Sequence, residues 1–252
     1  MGASVEMSRP DPALSEATMK NDPVGALLEV LELADSEART HEDIFTGVSH
    51  YMSSGRVFGG QVLAQSIVAA ARTVAEDRRV HSMHGYFLRA GDATRGMTFA
   101  VDRIHDGRSF STRRSQAYQD GVPIFSMIAS FQRVVPGLEH QIPMPEGVPT
   151  PESLPDLEIH LDELDATTRL RWDNRPFEFR HVTSPIYKTV EGERVPSQMV
   201  WMRARRRLPD DPQLHRAALA YASDSTIQES ILRAHGLAWV TDGLNVASDH
   251  RP

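Results

Sequence analysis

The sequence predicts an α+β fold made of two similar halves, each a long helix wrapped by an antiparallel β-sheet. Three features carry that expectation. Residues 60–75 read as a helix that is apolar or small on nearly every side, through Val62, Leu63, Ile67, Val68 and Ala69-Ala70-Ala71. A helix of that kind is buried all round, with something wrapped about it. Residues 80–88, 97–105, 109–119 and 122–134 follow, rich in β-branched and aromatic side chains, with Asp106-Gly107 and Asp120-Gly121 between the last three. Asp-Gly between such runs signals a hairpin, so this stretch reads as a meander. Finally, Asp22-Pro23 and Asp211-Pro212 set the same helix-starting device, an Asp N-cap with Pro at the first helical position, in each half.

Residues 1–21 carry Ser, Pro, Glu and Asp and no apolar core of a leader, and are expected to be a mobile tail. After Pro23, the apolar positions Val24, Leu27, Leu28 and Leu31 follow the spacing of a helix with one buried face. In 122–134, Phe125, Met127, Ala129 and Phe131 alternate with Ile124, Ser126, Ile128 and Ser130, the period of a strand. The first domain is thus placed at 22–135. Residues 136–165 hold Pro136, Pro143, Pro145, Pro149, Pro151 and Pro155, too many for a regular element, and read as a linker. The second domain, 166–252, begins the pattern again. Residues 177–182 and 198–206 read as strands, Leu214, Ala217, Ala218 and Tyr221 as a helical stripe, and Gly236 as the cap that ends this second helix. Only residues 237–252 follow, enough for one or two strands, so the second sheet is expected to be incomplete.

Composition narrows the function classes. With 252 residues the chain has room for one large or two ordinary domains, and a core that needs no staple. The absence of Cys excludes a disulfide framework, Cys-ligated zinc, iron–sulfur clusters and a thiol nucleophile. A formal net charge of −7 argues against a nucleic-acid partner, which would need Lys and Arg to neutralise phosphates. The longest near-apolar stretch, 62–71, is broken by Gln65 and Ser66 and is far short of the ~20 residues of a membrane span. A cytoplasmic protein is expected. His81 and His84 lie three apart, which strand alternation puts on opposite faces, one packed and one exposed, so they make a poor metal pair. No metal site and no cofactor are expected.

Longer motifs identify a resemblance. The segments Val57-Phe58-Gly59-Gly60-Gln61-Val62 and His81-Ser82-Met83-His84-Gly85-Tyr86-Phe87-Leu88-Arg89 are similar to the signature of the acyl-CoA thioesterase II family. Asp106-Gly107-Arg108-Ser109-Phe110-Ser111, Pro123-Ile124-Phe125 and Ala129-Ser130-Phe131-Gln132 continue it. Leu214-His215, Ala220-Tyr221-Ala222-Ser223-Asp224 and Ala234-His235-Gly236 follow in the family's order, so the likeness runs over 22–248. It implies a double hotdog fold and hydrolysis of an acyl-CoA to a free fatty acid and CoA. It also implies a catalytic set of Asp, Ser or Thr, and Gln, which hold and polarise a water. Asp224 matches the Asp, and Ser248 the Ser/Thr, although Asp249-His250 follow Ser248 with at least one residue missing. The family Gln belongs to a final strand without a counterpart in this sequence. Family members associate through their sheets, so a homodimer or higher homo-oligomer is expected.

The chemistry suits these residue types. A thioester is activated enough for a positioned water to attack, with Asp accepting the proton and Ser fixing a lone pair. The developing oxyanion wants backbone N–H groups, which a helix N-terminus supplies together with its dipole. Gly59-Gly60-Gln61 stands at such a terminus, and the N–H groups of Gly60 and Gln61 are the expected substrate-binding donors. Against this, Asp224 could merely cap or face solvent, and the glycine pair could serve only a tight turn or close packing. Arg203, Arg205, Arg206 and Arg207 could meet CoA phosphates, with a solvated strand end as the default; Trp201 and Trp239 read as core or interface. Two further functions stay in view. One is an acyl-CoA-binding or assembly protein on the same fold without catalysis. The other is an enoyl-thioester hydratase, disfavoured because His215 and Asp224, nine apart, do not share a helix face.

Overall fold

A computed structural model describes residues 21–38, 40–50, 55–155, 174–187 and 189–239. The expected tail lies outside them apart from Asn21, as do residues 156–165 of the expected linker and the C-terminal 240–252. Among the described residues the order is α1 (Pro23–Leu31), β1 (Ala34–Asp35), β2 (Asp43–Gly47), α2 (Gly59–Ala71) and β3 (Arg78–Phe87). Strands β4 (Met97–Asp106), β5 (Phe110–Gln119) and β6 (Val122–Arg133) follow. A 3₁₀ turn (Pro151–Ser153), β7 (Phe177–His181), β8 (Val200–Ala204), α3 (Pro212–Ser223) and α4 (Glu229–His235) complete it.

Six strands form one antiparallel sheet in the order β1-β2-β4-β5-β6-β3, and β7 and β8 pair antiparallel beside it. Helix α2 lies in the hollow of the large sheet. Its Val62, Ile67, Ala69 and Ala70 pack with Phe99, Val101, Phe125, Met127, Ala129 and Phe131 of the strands. Its other side, through Ala64, joins a second cluster with Val24, Leu27, Val30 and Leu31 of α1, Phe177 and Phe179 of β7, and Ala217, Ala218 and Tyr221 of α3. A helix apolar or small on nearly every side thus finds a partner on each side, with Gln61, Gln65 and Ser66 buried on it as well. Helix α1, early in the chain, shares its core with late elements because its narrow apolar stripe faces the small residues of α3.

Local chemistry explains the boundaries. Asp22 caps α1 with its carboxylate on the Gly25 N–H at 2.8 Å, and Asp211 caps α3 through the Gln213 N–H at 2.8 Å. The Asp120-Gly121 hairpin is a two-residue turn with both residues at positive φ, 48° and 77°. That is the type I′ geometry whose twist matches the flanking strands. Asp106-Gly107 differs. Asp106 pairs with Ser111 across a longer loop that the Gly107 N–H closes on the Phe110 carbonyl at 2.8 Å. The reason is Arg113, only 1% exposed, whose guanidinium takes both Asp106 oxygens at 2.8 and 3.0 Å. Burial pushes the Asp106 carboxyl up, but the Ser111 and Arg113 hydrogen bonds outweigh it and hold the group below its ordinary value.

Arg113 also ends α2 four residues before the sequence suggests. Thr73 donates its hydroxyl to Ala70 O at 2.8 Å while accepting from Arg113 Nε at 2.7 Å, and its carbonyl accepts from Nη2 at 3.0 Å. Arg113→Met should cost about 3 kcal/mol, because the buried Thr73 hydroxyl and carbonyl lose their donor. Urea denaturation of wild type and variant checks this; equal midpoints would remove Arg113 from the account.

The second helical region also departs from the single helix read from sequence. It breaks into α3 and α4 across 224–228, where Asp224, Ser225 and Thr226 follow Ser223 at the end of α3, all residues whose side chains compete for backbone groups. Ser223 Oγ donates to Ala220 O at 2.8 Å. Gly236, at φ 69°, caps α4 in the left-handed region, as its position suggests. No helix among the described residues is long and apolar enough to cross a membrane.

Candidate active site

The break after α3 positions Asp224. Asp224 is the C-terminal cap residue of α3, yet its carboxylate serves another helix: Oδ2 accepts the N–H of Gly60, in the first turn of α2, at 2.8 Å. The positive end of the α2 dipole therefore faces that carboxylate. Both glycines have a steric reason. A Cβ on Gly60 would stand 2.3 Å from the Tyr221 carbonyl oxygen, so α2 and α3 approach this closely only through glycine. A Cβ on Gly59 would stand 2.7 Å from Asp224 Oδ2 and 3.0 Å from Cζ of Phe87. The Asp224 carboxylate and the Phe87 ring edge thus both close directly on Gly59.

Aromatic packing surrounds it. Phe58, which precedes α2, meets Tyr221 edge-on with ring centroids 4.9 Å apart. Burial pushes the Tyr221 phenol well above its ordinary value; Arg175 opposes that shift and the Asp224 charge adds to it. The phenol therefore stays protonated. Phe87, at the end of β3, rests on Phe125 at 4.9 Å, and Phe125 fits there because Gly85 presents no side chain to it.

The expected site residues divide into three outcomes. Asp224 and Gly60 are brought together directly. Gln61 lies next to them, but its backbone N–H donates to the Phe58 carbonyl at 3.1 Å and its side chain turns inward. There Nε2 donates to Val48 O at 3.0 Å and to Gln65 Oε1 at 3.1 Å, while Oε1 accepts the His50 N–H at 3.2 Å. Ser248 lies outside the described residues. Sequence reasoning missed Phe87, although it quoted Tyr86-Phe87-Leu88 as a motif, because only the fold brings the end of β3 to the start of α2.

His50, behind Gln61, was also missed. Burial lowers its pKa from 6.5 to about 4, against a backbone hydrogen bond with Ala26 that raises it. Between those two values the unfolded chain takes up a proton that the folded one refuses. Stability is thus full above about pH 6.5 and falls as the pH drops toward 4. The loss at pH 5 is about 2 kcal/mol, and His50→Gln should flatten this limb of a stability-against-pH curve. An unchanged slope in the variant would assign the acid sensitivity elsewhere.

Other candidates resolve without entering the site. A β-bulge between Val80 and Ser82 breaks strand alternation, so His81 and His84 are both exposed, a correction to the expectation of one packed ring. His81 bonds Ser130 Oγ at 2.9 Å, about 20 Å along the strand from Phe87. Arg203, Arg206 and Arg207 are paired with Glu178, Asp22 and Asp210 at 2.6, 3.1 and 2.7 Å, which neutralises the basic run. Trp201 donates to Pro149 O at 3.0 Å and Trp239 to Glu229 Oε1 at 3.2 Å. His215 bonds Pro209 O at 2.9 Å, at the opposite end of α3 from Asp224. No group of three or more His, Asp or Glu among the described residues could hold a metal ion.

Comparison with known proteins gives this geometry a family. Residues 48–132 match the acyl-CoA thioesterase N-terminal domain, and residues 171–251 the acyl-CoA thioesterase family. Human acyl-coenzyme A thioesterase 8 is 37% identical over 231 residues, covering 86% of this chain and 72% of that protein. The mouse protein of that name is 38% identical over 208 residues, 77% of this chain and 64% of its own length. Acyl-CoA thioesterase 2 of Haemophilus influenzae is 34% identical over 214 residues, 82% and 74% of the two chains. Among solved structures, the acyl-CoA thioesterase II TesB2 of Mycobacterium marinum superposes with a TM-score of 0.63 at 39% identity, over 83% of this chain and 71% of that one. A hot dog fold protein from Alicyclobacillus acidocaldarius does so at 0.65 and 17% identity, over 83% and 72%, a likeness of fold. The α+β architecture of helices held in antiparallel sheets is the hotdog fold, and the chain belongs to the acyl-CoA thioesterase II family.

Proposed function

We propose that this chain hydrolyses acyl-CoA thioesters to a free fatty acid and CoA, with Asp224 as the base that holds and deprotonates the attacking water. The observation that carries the proposal is the Asp224–Gly60 hydrogen bond, by which a carboxylate from the second half is fixed on the central helix of the first. One carboxylate oxygen is committed to that N–H and thereby oriented. Water attacks the thioester carbon and gives its proton to Asp224; the tetrahedral oxyanion collapses, the C–S bond breaks, and the thiolate leaves with that proton. Ser248 fixes the water's second position. The oxyanion accepts at the first turn of α2 from the Gly60 and Gln61 N–H groups, each of which divides its hydrogen bond between the oxyanion and its present acceptor, Asp224 Oδ2 and the Phe58 carbonyl respectively.

In this reading, domains 22–135 and 166–252, joined through 136–165, supply one site between them. The protein works in the cytoplasm as a homodimer or higher homo-oligomer without a cofactor. Release of free CoA thiol from a panel of acyl-CoAs tests the activity, and the absence of Cys keeps the protein itself silent in a thiol assay. Release in proportion to protein concentration is expected. Binding of acyl-CoA without release would leave the non-catalytic binding function in its place.

A further inference from the structure

We propose that the buried side chain of Gln61 is a positioning residue for the reaction: it locks the first turn of α2, so that the Gly60 N–H stays on Asp224. The inference deepens the proposed thioesterase reading and rests on it. Its basis is that this helix start has no side-chain cap of its own. Phe58 stands at the N-cap position and makes no side-chain capping hydrogen bond. The opening N–H groups of such a helix fray unless other groups take them. Here Asp224 Oδ2 takes the Gly60 N–H at 2.8 Å, from 164 residues away along the chain. That bond orients the proposed base only if the first turn is itself held in place.

Gln61, the next residue, supplies that hold. Its side chain is fully buried, which is unfavourable for an amide unless its polar atoms find partners. Both do. Nε2 donates to Val48 O and to Gln65 Oε1 at 3.0 and 3.1 Å, and Oε1 accepts the His50 N–H at 3.2 Å. The segment it grips is fixed in turn, because Ser49 Oγ donates to Arg95 O at 2.6 Å. Gln65 extends the network, donating to Val30 O in α1 at 2.8 Å and to Val48 O at 3.0 Å. A satisfied buried network of this kind fixes one arrangement, where apolar side chains of the same volume would leave the helix free to shift. Only Gln61 adjoins Gly60; Gln65 lies about one turn further along α2.

The experiment uses the 252-residue chain and its Gln61→Met and Gln65→Met variants, each exchanging a buried amide for an unbranched apolar side chain. Gln61→Met cuts both ties to the 48–50 segment; Gln65→Met leaves them in place. The first readout is kcat and KM for thiol release, at a temperature where both variants are folded. Gln61→Met should lower kcat about a hundredfold, the cost of a misplacement of ~1 Å, with KM little changed. Gln65→Met should keep kcat close to wild type. The second readout is amide hydrogen exchange at Gly60 by NMR. It should accelerate about tenfold in Gln61→Met and stay as in wild type in Gln65→Met. An equal kcat in the two variants, or Gly60 exchange in Gln61→Met as slow as in wild type, overturns the proposal. Gln61→Asn, whose amide sits one methylene short of these partners, replaces Gln61→Met with the same expected readings if the latter does not fold. If the wild-type chain releases no CoA, the thioesterase reading fails by itself, and Gly60 exchange still decides the role of Gln61.

Discussion

Asp224→Asn is expected to release CoA about a thousandfold more slowly than wild type while remaining folded, within the 10²–10⁴ range that a general base contributes. The pairing of loss and persistence follows from the hydrogen bond to Gly60. An Asn side-chain oxygen accepts the Gly60 N–H as the Asp oxygen does at 2.8 Å, so the start of α2 stays capped. What Asn lacks is the capacity to take the water's proton. Asp224→Ala removes both functions, and should lose a further ~1 kcal/mol of stability, the usual worth of a helix cap. Thiol release and thermal melting of the two variants together separate base from cap. Should Asp224→Asn turn over as wild type does, Asp224 would be a capping residue only.

Gly60→Ala is expected to be the most damaging single methyl group in the site. At an ordinary helix position, replacing Gly by Ala stabilises by about 1 kcal/mol. Here the new Cβ would lie 2.3 Å from the Tyr221 carbonyl oxygen, a backbone atom that cannot rotate away. Helices α2 and α3 must separate, and with them Asp224 and its hydrogen bond, so a net loss of about 3 kcal/mol is expected together with most of the activity. Gly59→Ala supplies the contrast. Its Cβ meets side-chain atoms of Asp224 and Phe87 and no backbone atom, so it should cost less stability while still displacing the Asp224 carboxylate. Urea denaturation beside thiol release ranks the two. Equal midpoints for Gly60→Ala and wild type would show that the helices tolerate the wider spacing.

The sequence carries the elements because their signals are local. The Asp-Pro helix starts, the period-two alternation from Ile124 to Phe131 and the Asp120-Gly121 turn depend on neighbours a few residues apart. Where a distant group competes, the local reading slips. Arg113 draws Asp106 into a longer loop and Thr73 out of α2, and the bulge at His81 turns both histidines outward.

For the candidate site, the family resemblance named Asp224 in advance, and the helix-opening glycine pair pointed to the N–H groups of Gly60 and Gln61. Their relation is tertiary. Gly60 and Asp224 are 164 residues apart, and only the packing of α2 on α3 brings a donor and an acceptor from such distance to one hydrogen bond. The same packing commits the Gly60 N–H to Asp224, turns the Gln61 side chain inward onto Val48 and Gln65, and sets Phe87 over Gly59. The sequence by itself determined the helix starts, the strands of the meander and the residue types within reach. The fold decided which groups meet, because close approach depends on the shapes of two surfaces that lie far apart along the chain.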